Sequence, residues 1–190
     1  MKQDNFEQQK RRQLGMKDNS NIGKWDSKIS GLCGKINASK EYYTTSSCAG
    51  RVVLIRQAEK KQSDLFLFRS HEKVSFSQLK RELDKAIKNN KLDLIYFRLE
   101  PCILHVACAS LASAQVLLDL AKLAGWKNSG IMASTNRIVL EMRSTEHMEL
   151  PIIFRGKIVV DENFLKILAS ESNRKLSRTW KKVKKLERII

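Results

Sequence analysis

Residues 44–55 read Thr44-Thr45-Ser46-Ser47-Cys48-Ala49-Gly50-Arg51-Val52-Val53-Leu54-Ile55. The last four are aliphatic and mostly β-branched, which predicts a buried strand. The eight before them are mostly small or hydroxyl-bearing and predict a loop running into that strand. Small residues let the backbone approach a ligand closely, and Gly50 permits a turn that aims N–H groups at an anion. Arg51 offers a fork that grips a carboxylate or phosphate through two parallel bonds. A polar surface turn with self-satisfying hydroxyls is the plainer reading of the same residues. No Gly-x-Gly-x-x-Gly turn or Walker loop follows an early strand, so a nucleotide-type cofactor is not held by a Rossmann turn.

Upstream, the first 35 residues are polar, and Asp26 is placed to cap a short helix striped by Ile29, Leu32 and Ile36. Downstream, a charged turn around 60–64 leads to a second strand, 65–68, a neighbour for 52–55. Ser75 predicts the cap of a helix carrying Phe76, Leu79, Leu83, Ala86 and Ile87, which ends near Asn89-Asn90. Residues 94–99 and 102–109 read as strands separated by Glu100-Pro101. Ser110 heads a helix with Leu111, Ala114, Leu117, Leu118, Ala121 and Ala124 on one face, and Gly125 stops it. Short strands follow at 131–132 and 138–142, and Pro151 closes the block. From Asp161, Phe164, Ile167, Leu168, Leu176, Trp180, Val183 and Leu186 predict a long terminal helix, broken near Ser172-Asn173. Strand, strand, helix occurs twice, without a visible sequence repeat.

Thirty-six basic residues against 20 acidic ones give the 190-residue chain a formal charge of +16. Such a balance favours a polyanionic partner, because each phosphate neutralised releases counterions; nucleic acid ranks ahead of an anionic membrane surface. The terminal helix concentrates this charge in Arg174, Lys175, Arg178, Lys181, Lys182, Lys184, Lys185 and Arg188. That face is either simply solvated or tracks phosphates. No apolar run approaches the roughly 18 residues of a membrane span, and the polar start shows no signal peptide, so a cytoplasmic protein is expected.

Four cysteines in a reducing compartment read as thiols. The spacing Cys102-x-x-His105-x-x-Cys108 on a strand puts His105 on the face opposite both cysteines, so no metal site is expected. Cys48 as a nucleophile with a histidine base has no spacing to support it. His105 lies in an apolar strand, facing away from Leu104, Val106 and Cys108. It is either a hydrogen-bonded core histidine or a general base at the floor of a pocket. Glu100, at the strand interruption, is the carboxylate placed to join it. Asn128-Ser129-Gly130-Ile131 is a helix-end turn or a backbone nest, and Arg143-Ser144-Thr145 at a strand end has the same two readings.

Five stretches occur in order: Asp18-x-Ser20-x-x-Gly23-x-x-Asp26, the 44–51 string, Glu100-Pro101-x-x-Leu104-His105-Val106-x-Cys108, Asn128-Ser129-Gly130-Ile131 and Arg143-Ser144-Thr145. Together they resemble the tRNA wybutosine-synthesizing protein family of the third, methylating step, over essentially the whole chain. The resemblance implies a compact α+β fold unlike the Rossmann methyltransferases. With the elements above, this is a mixed or antiparallel sheet with packed helices and a long basic C-terminal helix. One domain is expected over 1–190, with 161–190 as its helical extension. The resemblance implies an S-adenosylmethionine-dependent methyltransferase acting on N4 of the tricyclic wyosine-type base at position 37 of tRNA(Phe), in the anticodon region. No obligate protein partner is expected. His105, Glu100 and Asp26 are the candidate catalytic residues on this reading. Ser46, Ser47, Cys48, Gly50, Arg51, Ser129 and Gly130 are the candidates for holding the cofactor or the base's carboxylate. Lys24-Trp25 stands where family members vary, and the terminal helix is unusually basic. A non-catalytic basic tRNA-binding module and a scaffold subunit are the alternatives. The first would bind tRNA without S-adenosylmethionine, and the second neither.

Overall fold

A computed structural model describes residues 3–15, 26–57, 65–89, 94–133 and 137–190. The elements in chain order are α1 (Gln3–Gly15), α2 (Ser30–Ala38), β1 (Tyr42–Cys48), β2 (Arg51–Arg56), β3 (Phe66–Ser70), α3 (Phe76–Asn89), β4 (Ile95–Glu100), β5 (Ile103–Cys108), α4 (Leu111–Leu123), β6 (Gly130–Ala133), β7 (Ile138–Arg143), β8 (Met148–Phe154), β9 (Lys157–Ile158) and α5 (Glu162–Ile189). They form two compact units. One comprises Met1–Ala49, Pro101–Thr145 and Thr179–Ile190; the other comprises Gly50–Glu100 and Glu146–Arg178. Both sheets are antiparallel, and the fold is α+β.

The sheet of the first unit runs β1-β5-β7-β6. Alternation sends Leu104, Val106, Cys108, Leu140 and Met142 to one face. There they join Leu32 and Ile36 of α2, Leu117 and Ala121 of α4, and Val183 and Leu186 of α5 in one buried cluster. Trp126 is wholly buried in that cluster, and its indole N–H donates to the Lys182 carbonyl at 3.3 Å. Ser110 caps α4 in a reciprocal box with Ser113. Gly125, at φ 97°, then ends it as its position in the sequence predicts. On the opposite face, α1 seats Phe6 against Tyr43 and Ala107, with ring centroids 5.1 Å apart.

The sheet of the second unit runs β3-β2-β4-β8-β9, with β2 and β3 paired as expected. The Ser75 hydroxyl accepts from the Gln78 N–H at 3.1 Å to start α3. Asp161 accepts from the Phe164 N–H at 2.7 Å to start α5. Asn173 accepts from the Val74 N–H at 2.9 Å and donates to its carbonyl at 2.8 Å, tying α5 to the approach to α3.

Several local expectations change. Residues 44–48 belong to a strand rather than a loop, because neighbouring β5 pairs with their backbone. The polar N-terminus holds a helix, α1, anchored by the buried Phe6. Asp26 heads the turn before α2; the capping position is Ile29, which has no side-chain bond to give. Helix α5 runs through Ser172-Asn173 unbroken, since the Ser172 hydroxyl donates back to the Ala169 carbonyl and Asn173 is spent on Val74. Pro151 lies within β8, next to a register shift, where a missing N–H is tolerated. Leu111, Phe164 and Ile167 are exposed rather than core. The strand-strand-helix order does recur along the chain, but β2 and β3 share a sheet whereas β4 and β5 belong to different ones. The motif residues 18–25 and the charged turn at 60–64 lie outside the described residues. Among the described residues, no helix is long and apolar enough to cross a membrane.

Candidate active site

Strand β1 is irregular in one place, and that irregularity builds the site. Thr44 faces inward opposite Val106, held by Asn37, whose side chain accepts from the Thr44 N–H at 2.7 Å and donates to its hydroxyl at 3.0 Å. The register then shifts between Thr44 and Ser46, so that Ser46 rather than Thr45 stands opposite His105. Thr45 remains beside it, its hydroxyl donating to the His105 carbonyl at 3.3 Å.

His105 projects from the face away from the core, between two partners. Ser46 Oγ lies 2.6 Å from its Nδ1, and Glu141 Oε2 lies 2.8 Å from its Nε2. The pairings Ser46↔His105, His105↔Glu141 and Gly130↔Glu141 place four residues in one row across the sheet. An ionised carboxylate only accepts, so Glu141 draws the Nε2–H. In the neutral ring, Nδ1 then carries the lone pair and accepts from the Ser46 hydroxyl. The His105 and Glu141 side chains keep 28% and 32% of their surface, and Ser46 is exposed. Ile103 and Val139 flank the row half-buried; Met132 and Arg143 flank it exposed. A Cβ added at Gly130 would meet nothing within 4 Å, so the row opens there onto free space.

The other candidate residues of this unit hold the frame. Asp26 is buried; its Oδ1 accepts from the Lys28 N–H at 3.1 Å and its Oδ2 from the Ala49 N–H at 3.3 Å, which fixes the end of β1. Trp180 donates to the Ala49 carbonyl at 3.2 Å, with the Lys28 ammonium 4.9 Å from its ring centre. Ser129 donates to the Trp126 carbonyl at 2.6 Å and accepts from the Arg143 N–H at 3.2 Å, so its hydroxyl is engaged. Ser144, buried, accepts from the Cys102 N–H at 3.1 Å. Ser47 and Cys48 stand opposite Leu104 and Ile103. Cys102 and Cys108 point into the core and do not converge with His105. Burial pushes the Cys108 thiol up to about 12, which keeps it protonated. Among the described residues, no three potential ligands cluster for a metal ion.

In the second unit, Arg51 and Glu100 face each other across β2 and β4, with Nε donating to the carboxylate at 2.5 Å. Arg51 and Arg69 lie over the Phe66 ring at 5.0 and 4.2 Å. Gly50, at φ 91°, supplies the turn between β1 and β2. The carboxylate on His105 is therefore Glu141, whereas Glu100 is the partner of Arg51. Glu141 did carry a signal, since Leu140 and Met142 facing inward leave it outward. What local sequence does not give is the β5-β7 adjacency that brings it to His105.

The family model described as Methyltransferase TYW3 matches residues 2–190. The chain belongs to this family. Its relatives include the tRNA(Phe) 7-((3-amino-3-carboxypropyl)-4-demethylwyosine(37)-N(4))-methyltransferase of Thermococcus sibiricus, 36% identical over 187 residues, covering 96% of this chain and 93% of that one. The tRNA wybutosine-synthesizing protein 3 homolog of Danio rerio is 32% identical over 193 residues, covering 98% of this chain and 75% of that one. Among solved structures, the PH1069 protein from Pyrococcus horikoshii superposes with a TM-score of 0.86 at 31% identity, covering 98% and 94% of the two chains. The Methyltransferase TYW3 family thus accounts for the chain end to end, and the fold is shared.

Proposed function

We propose that this chain is an S-adenosylmethionine-dependent methyltransferase that modifies N4 of the 7-(3-amino-3-carboxypropyl)-4-demethylwyosine base at position 37 of tRNA(Phe), in the cytoplasm. The observation that carries this is the end-to-end membership of the Methyltransferase TYW3 family. The open sheet face around His105 supports it. The residues present suit such a cofactor. Arg143 offers a cation to a carboxylate, and Ile103, Val139 and Met132 offer apolar surface for a ring. Of the 44–51 string and the second turn, Ser47, Cys48, Gly50, Arg51, Ser129 and Gly130 are the residues that would hold it. Ser129 serves through its backbone, and Arg51 as a cation braced by Glu100. When bound, S-adenosylmethionine supplies an electrophilic methyl group.

The protein's part is positioning and proton removal. N4 gives up a proton as it gains carbon, and His105 is the acceptor, held in one tautomer by Glu141. Asp26 acts at a distance by fixing Ala49 at the end of β1. The exposed cations of α5 meet the phosphates flanking the anticodon. The chain passes between its two units at 49/50, 100/101, 145/146 and 178/179, so neither is one continuous piece, which supports the single-domain reading.

Calorimetric titration with S-adenosylmethionine, with and without tRNA bearing the unmethylated tricyclic base, tests this. Saturable binding that Arg51→Ala weakens is expected. Binding of tRNA alone, with none of S-adenosylmethionine, would establish an RNA-binding module instead.

A further inference from the structure

We propose that Ser46 is a catalytic residue rather than a cofactor ligand: it is the terminal member of a proton relay, Ser46–His105–Glu141, and the group that meets the target nitrogen. The inference rests on the methyltransferase reading and adds the route by which the proton leaves.

Both imidazole nitrogens of His105 are engaged, one by Ser46 at 2.6 Å and one by Glu141 at 2.8 Å. A substrate cannot reach either nitrogen without displacing a partner. Of the three hydrogen-bonded side chains, Ser46 is the exposed one, at the end opposite the carboxylate. A hydroxyl both donates and accepts, so Ser46 passes a proton without holding charge. As the N–CH3 bond forms at N4 and the methyl–sulfur bond breaks, the proton on the nitrogen moves to Ser46 Oγ. The former hydroxyl proton moves to His105 Nδ1. The resulting imidazolium is stabilised by Glu141 and later releases its proton to water. Glu141 is a positioning residue: its carboxylate acts through His105, fixing the tautomer that leaves Nδ1 open to Ser46. Without the shift in β1, Thr45 rather than Ser46 would stand opposite His105.

The test has two arms. In the ligand-free protein, nitrogen NMR of His105, assigned by loss of its signals in His105→Gln, reads the tautomer directly. The Nε2–H form is expected, and Glu141→Leu redistributes it. In turnover, Ser46→Ala lowers kcat by about 100-fold or more while KM for S-adenosylmethionine stays within about threefold, and Ser46→Thr recovers most of the loss. An Nδ1–H tautomer in an active wild-type protein overturns the relay alone. So does a Ser46→Ala enzyme with unchanged kcat and a raised KM, which would mark Ser46 as a cofactor ligand. A wild-type protein with the expected tautomer but no methyl transfer overturns the functional reading, and the relay with it.

Discussion

The two sheets of this protein place polar partners opposite each other in different ways. In the second unit, Arg51 faces Glu100 and Arg98 faces Glu149 at 2.7 Å, pairs of fixed and opposite charge. Such surface pairs contribute little beyond local order. In the first unit, the corresponding row sets a titratable ring between a hydroxyl and a carboxylate. That arrangement stores a proton position rather than a charge pair, and it is the one proposed to perform chemistry. Register and alternation are common to both; the difference lies in which side chains they bring together.

His105→Ala should have the largest effect, lowering kcat by about 10²–10⁴-fold in a methyl-transfer assay. Its melting temperature should stay close to wild type, because the ring is part-exposed and stands outside the core. A large loss of stability instead would make the row structural. Next is Arg51→Ala, expected to weaken S-adenosylmethionine binding by roughly 10- to 100-fold, the range for a lost charged hydrogen bond. Nitrogen NMR should find the His105 tautomer unchanged in that variant; a change would couple the two rows. Replacing the exposed Lys181 and Arg188 with glutamine should lower tRNA affinity and reduce its salt slope by about one per residue. An unchanged slope would mean that the basic face of α5 is merely solvated. The smallest effect belongs to Arg98→Ala, which should cost under about 1 kcal/mol in denaturant unfolding and leave turnover unaltered.

Much of this was legible from local pattern. The aliphatic run at 52–55 became β2, the serine-capped helices became α3 and α4, and alternation put His105 opposite Cys102 and Cys108. Three features were hidden for physical reasons. Residues 44–48 are threonine and serine, which locally suit turns; only pairing with β5, some 60 residues on, makes them a strand. Strand β8 contains Pro151, a breaker unless a register shift stands beside it. Glu141 as the partner of His105 depends on β7 lying next to β5, a long-range choice that no residue announces. Of the Ser46–His105–Glu141 row, the first two residues were therefore legible as candidates and the third was not, and Glu100 was the carboxylate nearer in sequence rather than the one in register.

Methyl transfer itself is the most direct readout. Purified protein is incubated with methyl-labelled S-adenosylmethionine and tRNA(Phe) carrying the unmethylated base, and the nucleosides are resolved by mass spectrometry. The expected result is one methyl group gained at N4, strongly reduced in Ser46→Ala and His105→Ala and intact in Arg98→Ala. An unmodified base in the wild-type reaction, or full activity in His105→Ala, would contradict it.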